Sequence, residues 1–549
     1  MSDVLSKGRR DDVSLSKETH GISILQNSTL PKTPSFFQRH RYLILFLTIL
    51  GLGIFARTWE FITLPPGLHQ DEASIGVDAF YLYKYGIDRN GFSYPVHLVS
   101  WGSGQNALYA YFLIPFIAVL GLKTWVIRIP ILISGILTLP LIYLIGKRTI
   151  DQRFGLFAMF CIAISPWHIL LSRWGLESNL LPFIFSLGYL FLLKSRDDWR
   201  WFLAANFFFA VCLYTYGTAY AAIPIFLALA ALVLLRAGVL DLRQLAAGLS
   251  VLLVVGTPIF LFVAINLLKL DTLHVGPLSI PRLPVVSRFE GLGAMFQGNI
   301  VSSLSNYAAT FLKLLTFQDD FRSRNGFPPY GYFYTVTFPL ALIGAGLFIS
   351  NLKKSKTPIL LFLSWLLTSF ILGCLQPVII NRVNLIFIPL ITCVAYLIYW
   401  LGQRYRIILL ISILVLLVAF GFFTKDYHGP AYRQEIGREF YDGLIPAIDF
   451  ARQSSQDNIC ITTYKVYMPY IFVLYDEQMP PTEFIQHVEY VDPTQPLREV
   501  RSLGRYTFGL ENCPNQPGTT FIVFNNEKFP YKGDYRKTSF GNYIVYAPK

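Results

Sequence analysis

Residues 42–73 read YLILFLTILGLGIFARTWEFITLPPGLHQDEA. The run from Tyr42 to Leu64 is long enough to cross the roughly 30 Å hydrocarbon core of a bilayer as a helix. It ends on Pro65-Pro66-Gly67, a turn signal, and two adjacent acids, Asp71 and Glu72, follow at once. A span that hands two carboxylates to the membrane surface predicts a membrane bundle whose polar chemistry lies on one side, provided that more spans follow.

They do. Further apolar runs lie near 125–146, 154–172, 180–193, 201–218, 219–235, 245–268, 333–350, 357–375, 383–401 and 406–424, which with 42–64 makes eleven predicted transmembrane helices. Composition agrees: 54% of the 549 residues are hydrophobic and 14% charged, whereas soluble domains are about a quarter charged. The expected fold class is an α-helical polytopic membrane protein.

Basic residues give the orientation. With the N-terminus inside, every predicted cytoplasmic turn is basic: Lys147, Arg148 and Arg153; Lys194, Arg196 and Arg200; Arg236 and Arg243; Lys353, Lys354 and Lys356; Arg404 and Arg406. The net charge of +13 is therefore read as topology charge and contact with membrane lipids, and nucleic acid is not a partner. Residues 1–41 are polar and carry no short apolar core with a cleavage site, which predicts a disordered cytoplasmic tail before an uncleaved first span. Ala107–Leu120 is too short for a comfortable crossing and would break the charge alternation. It is expected to lie as a juxtamembrane helix at the outer interface, with Tyr109 and Tyr111 at headgroup level.

Within the 42–424 membrane module, a first loop, 65–124, and a second, 269–332, fall on the exterior, as does a tail, 425–549. The tail has period-two apolar segments, read as strands, at Asn458–Thr463, Tyr470–Tyr475, Thr520–Asn525 and Gly541–Ala547, with a helical candidate at Glu435–Ala451, so a small exterior α/β domain is predicted. Cys460 and Cys513 are its only cysteines and pair if that face is oxidising and the fold brings them together. Cys161, Cys212, Cys374 and Cys393 fall in spans and read as apolar filler.

The candidate chemistry lies on the exterior side. Asp71 or Glu72 could act as a general base with proton affinity raised by partial burial, or cap the helix running through Ala79–Tyr85. Arg173 and Glu177 stand four apart in a helical pattern at the end of the third span, as a simple ion pair or as a pair that also holds a ligand. Asn381 and Arg382 sit at the mouth of the tenth span, where an arginine fork suits a phosphate and snorkelling is the plainer role. Asp319, Asp320, Arg322 and Arg324 form a charged knot in the second loop. The apolar pattern of Met295–Phe317 before it predicts interfacial helices, making this loop a candidate lid or substrate loop.

The succession Pro65-Pro66-Gly67-Leu68-His69-Gln70-Asp71-Glu72-Ala73, Gly104-Gln105-Asn106-Ala107-Leu108-Tyr109, Val126-Ile127-Arg128-Ile129-Pro130, Gly146-Lys147-Arg148 and Ser165-Pro166-Trp167-His168 resembles the GT-C polyprenyl-phosphate-sugar glycosyltransferases. Within them it is similar to the branch of protein O-mannosyltransferases and aminoarabinose transferases. The resemblance covers residues 42–424 and implies a GT-C-like fold in a bacterial or archaeal plasma membrane. It further implies an inverting transferase that moves a sugar from a polyprenyl monophosphate carrier to a hydroxyl of a lipid, glycan or protein acceptor at the exterior face. It maps the acids onto Asp71, Glu72 and Glu177, and carrier-phosphate binding onto Asn381 and Arg382.

No cofactor is required by that chemistry. His69, Asp71 and Glu72 would ligate a divalent metal if one is used, but no HExxH or CxxC site is present. The WWD-type sequence of oligosaccharyltransferases is absent as well. The alternative is a non-catalytic protein that binds a lipid-linked substrate, or a flippase, for which a polar route should reach both leaflets.

Overall fold

The structure is a computed structural model that describes residues 36–284, 300–352, 356–455, 457–514, 516 and 518–549. Residues 1–35 of the expected tail, 285–299 of the expected lid loop, and Lys353 and Lys354 of an expected cytoplasmic turn lie outside the described residues. The site and the cap described below lie within the compact unit Phe46–Lys549.

Each expected span coincides with helix, but the count of eleven crossings does not follow from helix length. Among the described residues seven helices are long and apolar enough to cross a membrane: His40–Thr58, Thr124–Thr149, Ala219–Arg236, Leu242–Leu267, Lys356–Leu375, Asn384–Arg404 and Arg406–Tyr427. The expected spans at 154–172, 201–218 and 333–350 contain the shorter apolar helices Gln152–Ala163, Arg200–Cys212 and Thr335–Ser350, and that at 180–193 is the polar-started helix Glu177–Lys194. The break in the third has a local cause. Pro166 supplies no backbone N–H, and Ser165 caps a new short helix, Pro166–Leu171, with its hydroxyl.

In the first loop the helix Gln70–Tyr85 starts in a capping box: the His69 ring accepts from the N–H of Asp71, and Glu72 accepts from the N–H of His69. Leu108–Leu120 is helical as expected but does not offer both tyrosines to headgroups. Tyr109 is wholly buried and donates to the Ile127 carbonyl at 2.7 Å, because this helix packs against Gln70–Tyr85 and the chain entering Thr124–Thr149.

The C-terminal region holds a seven-stranded mixed sheet in the order Tyr535–Phe540, Tyr543–Pro548, Thr520–Phe524, Ile459–Ile461, Tyr506–Phe508, Val500–Leu503, Val488–Tyr490. Ile459–Ile461 runs parallel to both of its neighbours, and the remaining pairs are antiparallel. Cys460 and Cys513 are joined by a disulfide. Two local expectations are corrected. Tyr470–Glu477 is a helix, its residues 470–475 all buried, so no alternation distinguished it from a strand. The candidate helix at Glu435–Ala451 is two, Pro430–Glu439 and Leu444–Ser454, separated where Gly443 adopts φ +92°.

This sheet region is tied to the first loop. Leu68 N–H donates to Phe440 O at 2.7 Å, Arg498 donates to Asn90 at 2.9 Å, and Tyr81 donates to Met479 O. The second loop joins the same layer through Arg324 with Glu439 and Ser323 with Glu435. The three segments expected on the exterior thus form one continuous cap.

Candidate active site

Asp71 and Glu72 are adjacent in sequence but sit in opposite environments. Glu72 is fully buried and receives Arg128 Nε at 2.8 Å and Nη2 at 2.9 Å, the Gly175 N–H at 2.9 Å and the His69 N–H at 3.2 Å. Its lone pairs are occupied. Arg128 completes the joint by donating to the carbonyls of Pro65 at 2.7 Å and Gly67 at 2.9 Å, which locks the turn leaving the first span. The Asp71 side chain, one residue earlier on the helix, keeps 28% of its surface exposed.

His69 lies beside Asp71, Nδ1 to Oδ2 at 3.6 Å. Burial, together with the nearby guanidinium groups of Arg324 and Arg128, pushes its pKa well below the ordinary histidine value. The ring is therefore neutral, and Nδ1 accepts from the Asp71 N–H at 3.2 Å rather than forming an ion pair. Its faces and edges are enclosed by Trp174 at 5.2 Å, Phe440 at 5.6 Å and Tyr441 at 6.3 Å between ring centroids. Burial, and the Asp71 carboxylate nearby, raise the pKa of Tyr441, against the Arg324 charge and a hydrogen bond from Tyr467. Asp71, His69, Tyr441 and Arg324 thus share one neighbourhood.

With Glu72 turned onto Arg128, the trio His69, Asp71 and Glu72 does not converge on a common point, and among the described residues no three His, Cys, Asp or Glu side chains cluster as metal ligands. Arg173 and Glu177 also separate. The chain between them is a break between two helices, not a continuous turn of one. Arg173 is buried and donates to Leu64 O through Nε at 3.3 Å and Nη2 at 3.0 Å, with its guanidinium 5.4 Å from the Tyr427 ring. Glu177 is buried at the start of its helix and accepts from Gln105 at 3.1 Å.

Gln105 in turn receives Ser74 at 3.1 Å and Ser100 at 3.0 Å, both held by Arg89 at 2.7 and 2.8 Å, and Arg89 faces Asp78 at 3.7 Å. This buried network, unread in the sequence, ties the first loop to the acid at 177. A second group stands out near His69 and Arg173: among the described residues Arg173 Nη1, Trp174 Nε1 and Tyr427 Oη are buried without a hydrogen-bond partner. Three donors left unmatched in one region are costly unless a ligand or water engages them.

Asn381 and Arg382 lie on the short turn Ile380–Arg382. The Ile380 N–H donates to Asp320 at 2.9 Å, and Asn325 donates to the same carboxylate at 2.6 Å, so the knot of the second loop is pinned to this turn. Asp319 closes a local turn onto the Phe321 N–H at 2.9 Å, and Arg322 is exposed. Asn384 donates to Ser178 O at 2.8 Å, which brings the 380–384 segment against the start of the Glu177 helix. The Arg382 guanidinium is half-buried with no side-chain hydrogen bond or ion pair among the described residues.

Arg128 was legible only as a motif member, although a lone cation between two apolar helical segments is itself a signal. Nothing local in sequence marked Trp174, Tyr427 or Tyr441.

Residues 105–272 match the family described as dolichyl-phosphate-mannose-protein mannosyltransferase. No curated protein matches the sequence. Among solved structures, ArnT from Cupriavidus metallidurans bound to undecaprenyl phosphate is similar at 13% identity and TM-score 0.57, covering 92% of this chain and 98% of that one. The Archaeoglobus fulgidus oligosaccharyltransferase in complex with Zn and sulfate is similar at 13% identity and TM-score 0.51, over 78% of this chain and 61% of that one. The chain thus spans about three-fifths of the oligosaccharyltransferase. AglB from the same organism, in complex with an inhibitory peptide and a dolichol-phosphate, is similar at 13% identity and TM-score 0.51, over 80% and 64%. These findings show that the chain shares the fold of ArnT and of the archaeal oligosaccharyltransferase, with helices long and apolar enough to cross a membrane.

Proposed function

We propose that the protein is an inverting glycosyltransferase that moves a sugar from a polyprenyl monophosphate to an acceptor hydroxyl at the exterior membrane face. The observation that carries the reading is the division of labour in the Asp71-Glu72 pair: Glu72 is saturated by Arg128, Gly175 and His69, while Asp71 remains partly exposed beside a neutral histidine. The matched family and the lipid phosphates bound by ArnT and AglB support the donor class.

In the proposed reaction the Asp71 carboxylate takes the proton of the acceptor hydroxyl as its oxygen attacks the anomeric carbon. The bond from that carbon to the phosphate oxygen breaks, and the carrier leaves as a monoester with one more negative charge. Arg173, whose Nη1 is unmatched, and Arg382, with Asn381 beside it, are assigned to that developing charge. Glu72 holds the loop in place, and Glu177 anchors the network through Gln105. A single displacement inverts the anomeric configuration, and no step runs through a metal. The exterior orientation rests on the basic turns at 147–153, 194–200, 236–243, 353–356 and 404–406.

The direct test is incubation of the purified full chain with undecaprenyl-phosphate sugars and extracted envelope lipids and glycans, followed by mass analysis. Donor consumption with an acceptor heavier by one sugar is expected. Movement of intact donor between leaflets, without consumption, would favour a flippase instead.

A further inference from the structure

Nothing so far gives the C-terminal sheet region a task in the reaction. One of its loops touches the site. Tyr464-Lys465-Val466-Tyr467-Met468 follows the strand Ile459–Ile461, and the N–H of Tyr467 donates to Tyr441 Oη at 3.4 Å. Tyr441 stacks on His69 at 6.3 Å and 26°, and His69 adjoins Asp71. The loop is thus linked to the carboxylate through two intervening side chains, Tyr441 and His69. Its backbone is unusual: Lys465 at φ +57°, Met468 at +51° and Tyr441 at +49° all occupy the left-handed region without being glycine. Such conformations persist where the surroundings impose them and tend to cluster at binding sites.

The side chains sort by character. Val466 and Met468 turn inward, while Tyr464 and Tyr467 are 45% and 68% exposed. Lys465 lies over the Tyr464 ring at 5.2 Å, and that ring also meets Phe524. Among the described residues the Tyr467 ring has no aromatic or cationic neighbour and its hydroxyl no hydrogen bond.

A loop built to enter lipid would expose its aliphatic residues and not bury them. A peptide pairing as an extra strand would need a free sheet edge, and the edges are Tyr535–Phe540 and Val488–Tyr490. An exposed amphipathic ring with no neighbour of its own among the described residues suits the apolar face and hydroxyl rim of a sugar ring.

We propose that Tyr467 is the stacking platform for a sugar ring of a carbohydrate acceptor, so that the C-terminal region selects what Asp71 deprotonates. This deepens the glycosyltransferase reading and rests on it.

The test measures saccharide binding apart from transfer. Full-length protein in lipid nanodiscs is titrated with methyl α-mannoside, methyl β-galactoside, methyl β-N-acetylglucosaminide and the corresponding trisaccharides, read by saturation-transfer NMR. At least one saccharide should bind wild type. Tyr467→Ala should weaken it about five- to tenfold, and Tyr467→Phe should retain most of it. Donor binding by Tyr467→Ala should be unchanged, which also shows that the variant is folded. No binding to wild type, or equal binding by Tyr467→Ala, overturns the proposal. So does a Tyr467→Ala defect confined to partition of the protein into anionic vesicles. If saccharides bind as described but donor is never consumed, the transferase reading fails while the binding surface stands.

Discussion

Arg128 holds Glu72 through two parallel hydrogen bonds at 2.8 and 2.9 Å, both side chains fully buried. Removing one partner of such a pair leaves an uncompensated buried charge. Arg128→Ala and Glu72→Ala are each expected to destabilise the protein by about 3–5 kcal/mol, with Arg128→Lys also destabilised because an ammonium cannot reproduce the fork. Thermal denaturation in detergent reads this, and unchanged midpoints would remove Glu72 from its structural role.

The first loop predicts a pH effect. Asp88 is buried, accepts from the N–H groups of Phe92 and Asn90 at 2.9 Å through Oδ1, and has no partner for Oδ2 among the described residues. Burial first, and then the neighbouring Asp78, push its pKa up to about 7. The folded state therefore holds a proton that the unfolded state releases at lower pH. The resulting stability is complete below the unfolded carboxylate range and is lost as pH rises towards about 7. Asp88→Asn, which imitates the protonated form, should flatten the decline between pH 5 and pH 8 relative to wild type. Parallel declines would contradict this.

Much of this arrangement was open to sequence reading. The helical segments follow apolar run length, and the Pro-Pro-Gly exit followed by Asp71 and Glu72 marked a candidate site because two acids at a membrane boundary need a reason. What was hidden depended on contacts between distant segments. Arg173 and Glu177 look like a helical pair until Ser165-Pro166 shortens one helix and Glu177 begins another. Tyr470–Tyr475 carries β-type residues but is buried all round, so its period is silent. Which of Asp71 and Glu72 stays accessible is decided by Arg128, 56 residues beyond Glu72.

The Cys460–Cys513 bridge closes a separation of 53 residues around the parallel centre of the sheet. Replacing both cysteines with alanine should cost about 2–4 kcal/mol. Limited proteolysis is expected to cut within 425–549 sooner in the variant, with cutting elsewhere little changed. Identical cleavage patterns would mean that the bridge adds nothing.

Arg382 separates charge from geometry. Arg382→Ala should weaken binding of undecaprenyl-phosphate sugar more than Arg382→Lys, which keeps the charge and loses the fork. If both variants bind and turn over donor as wild type does, the carrier phosphate lies elsewhere.

In the proposed reaction the Asp71 carboxylate, and not its neighbour Glu72, deprotonates the acceptor. The most direct measurement is single-turnover transfer by Asp71→Asn, with donor binding and thermal midpoint determined on the same preparation. The expected result is a rate lower by about 100-fold or more, with donor affinity and stability close to wild type. Transfer at the wild-type rate would contradict the assignment.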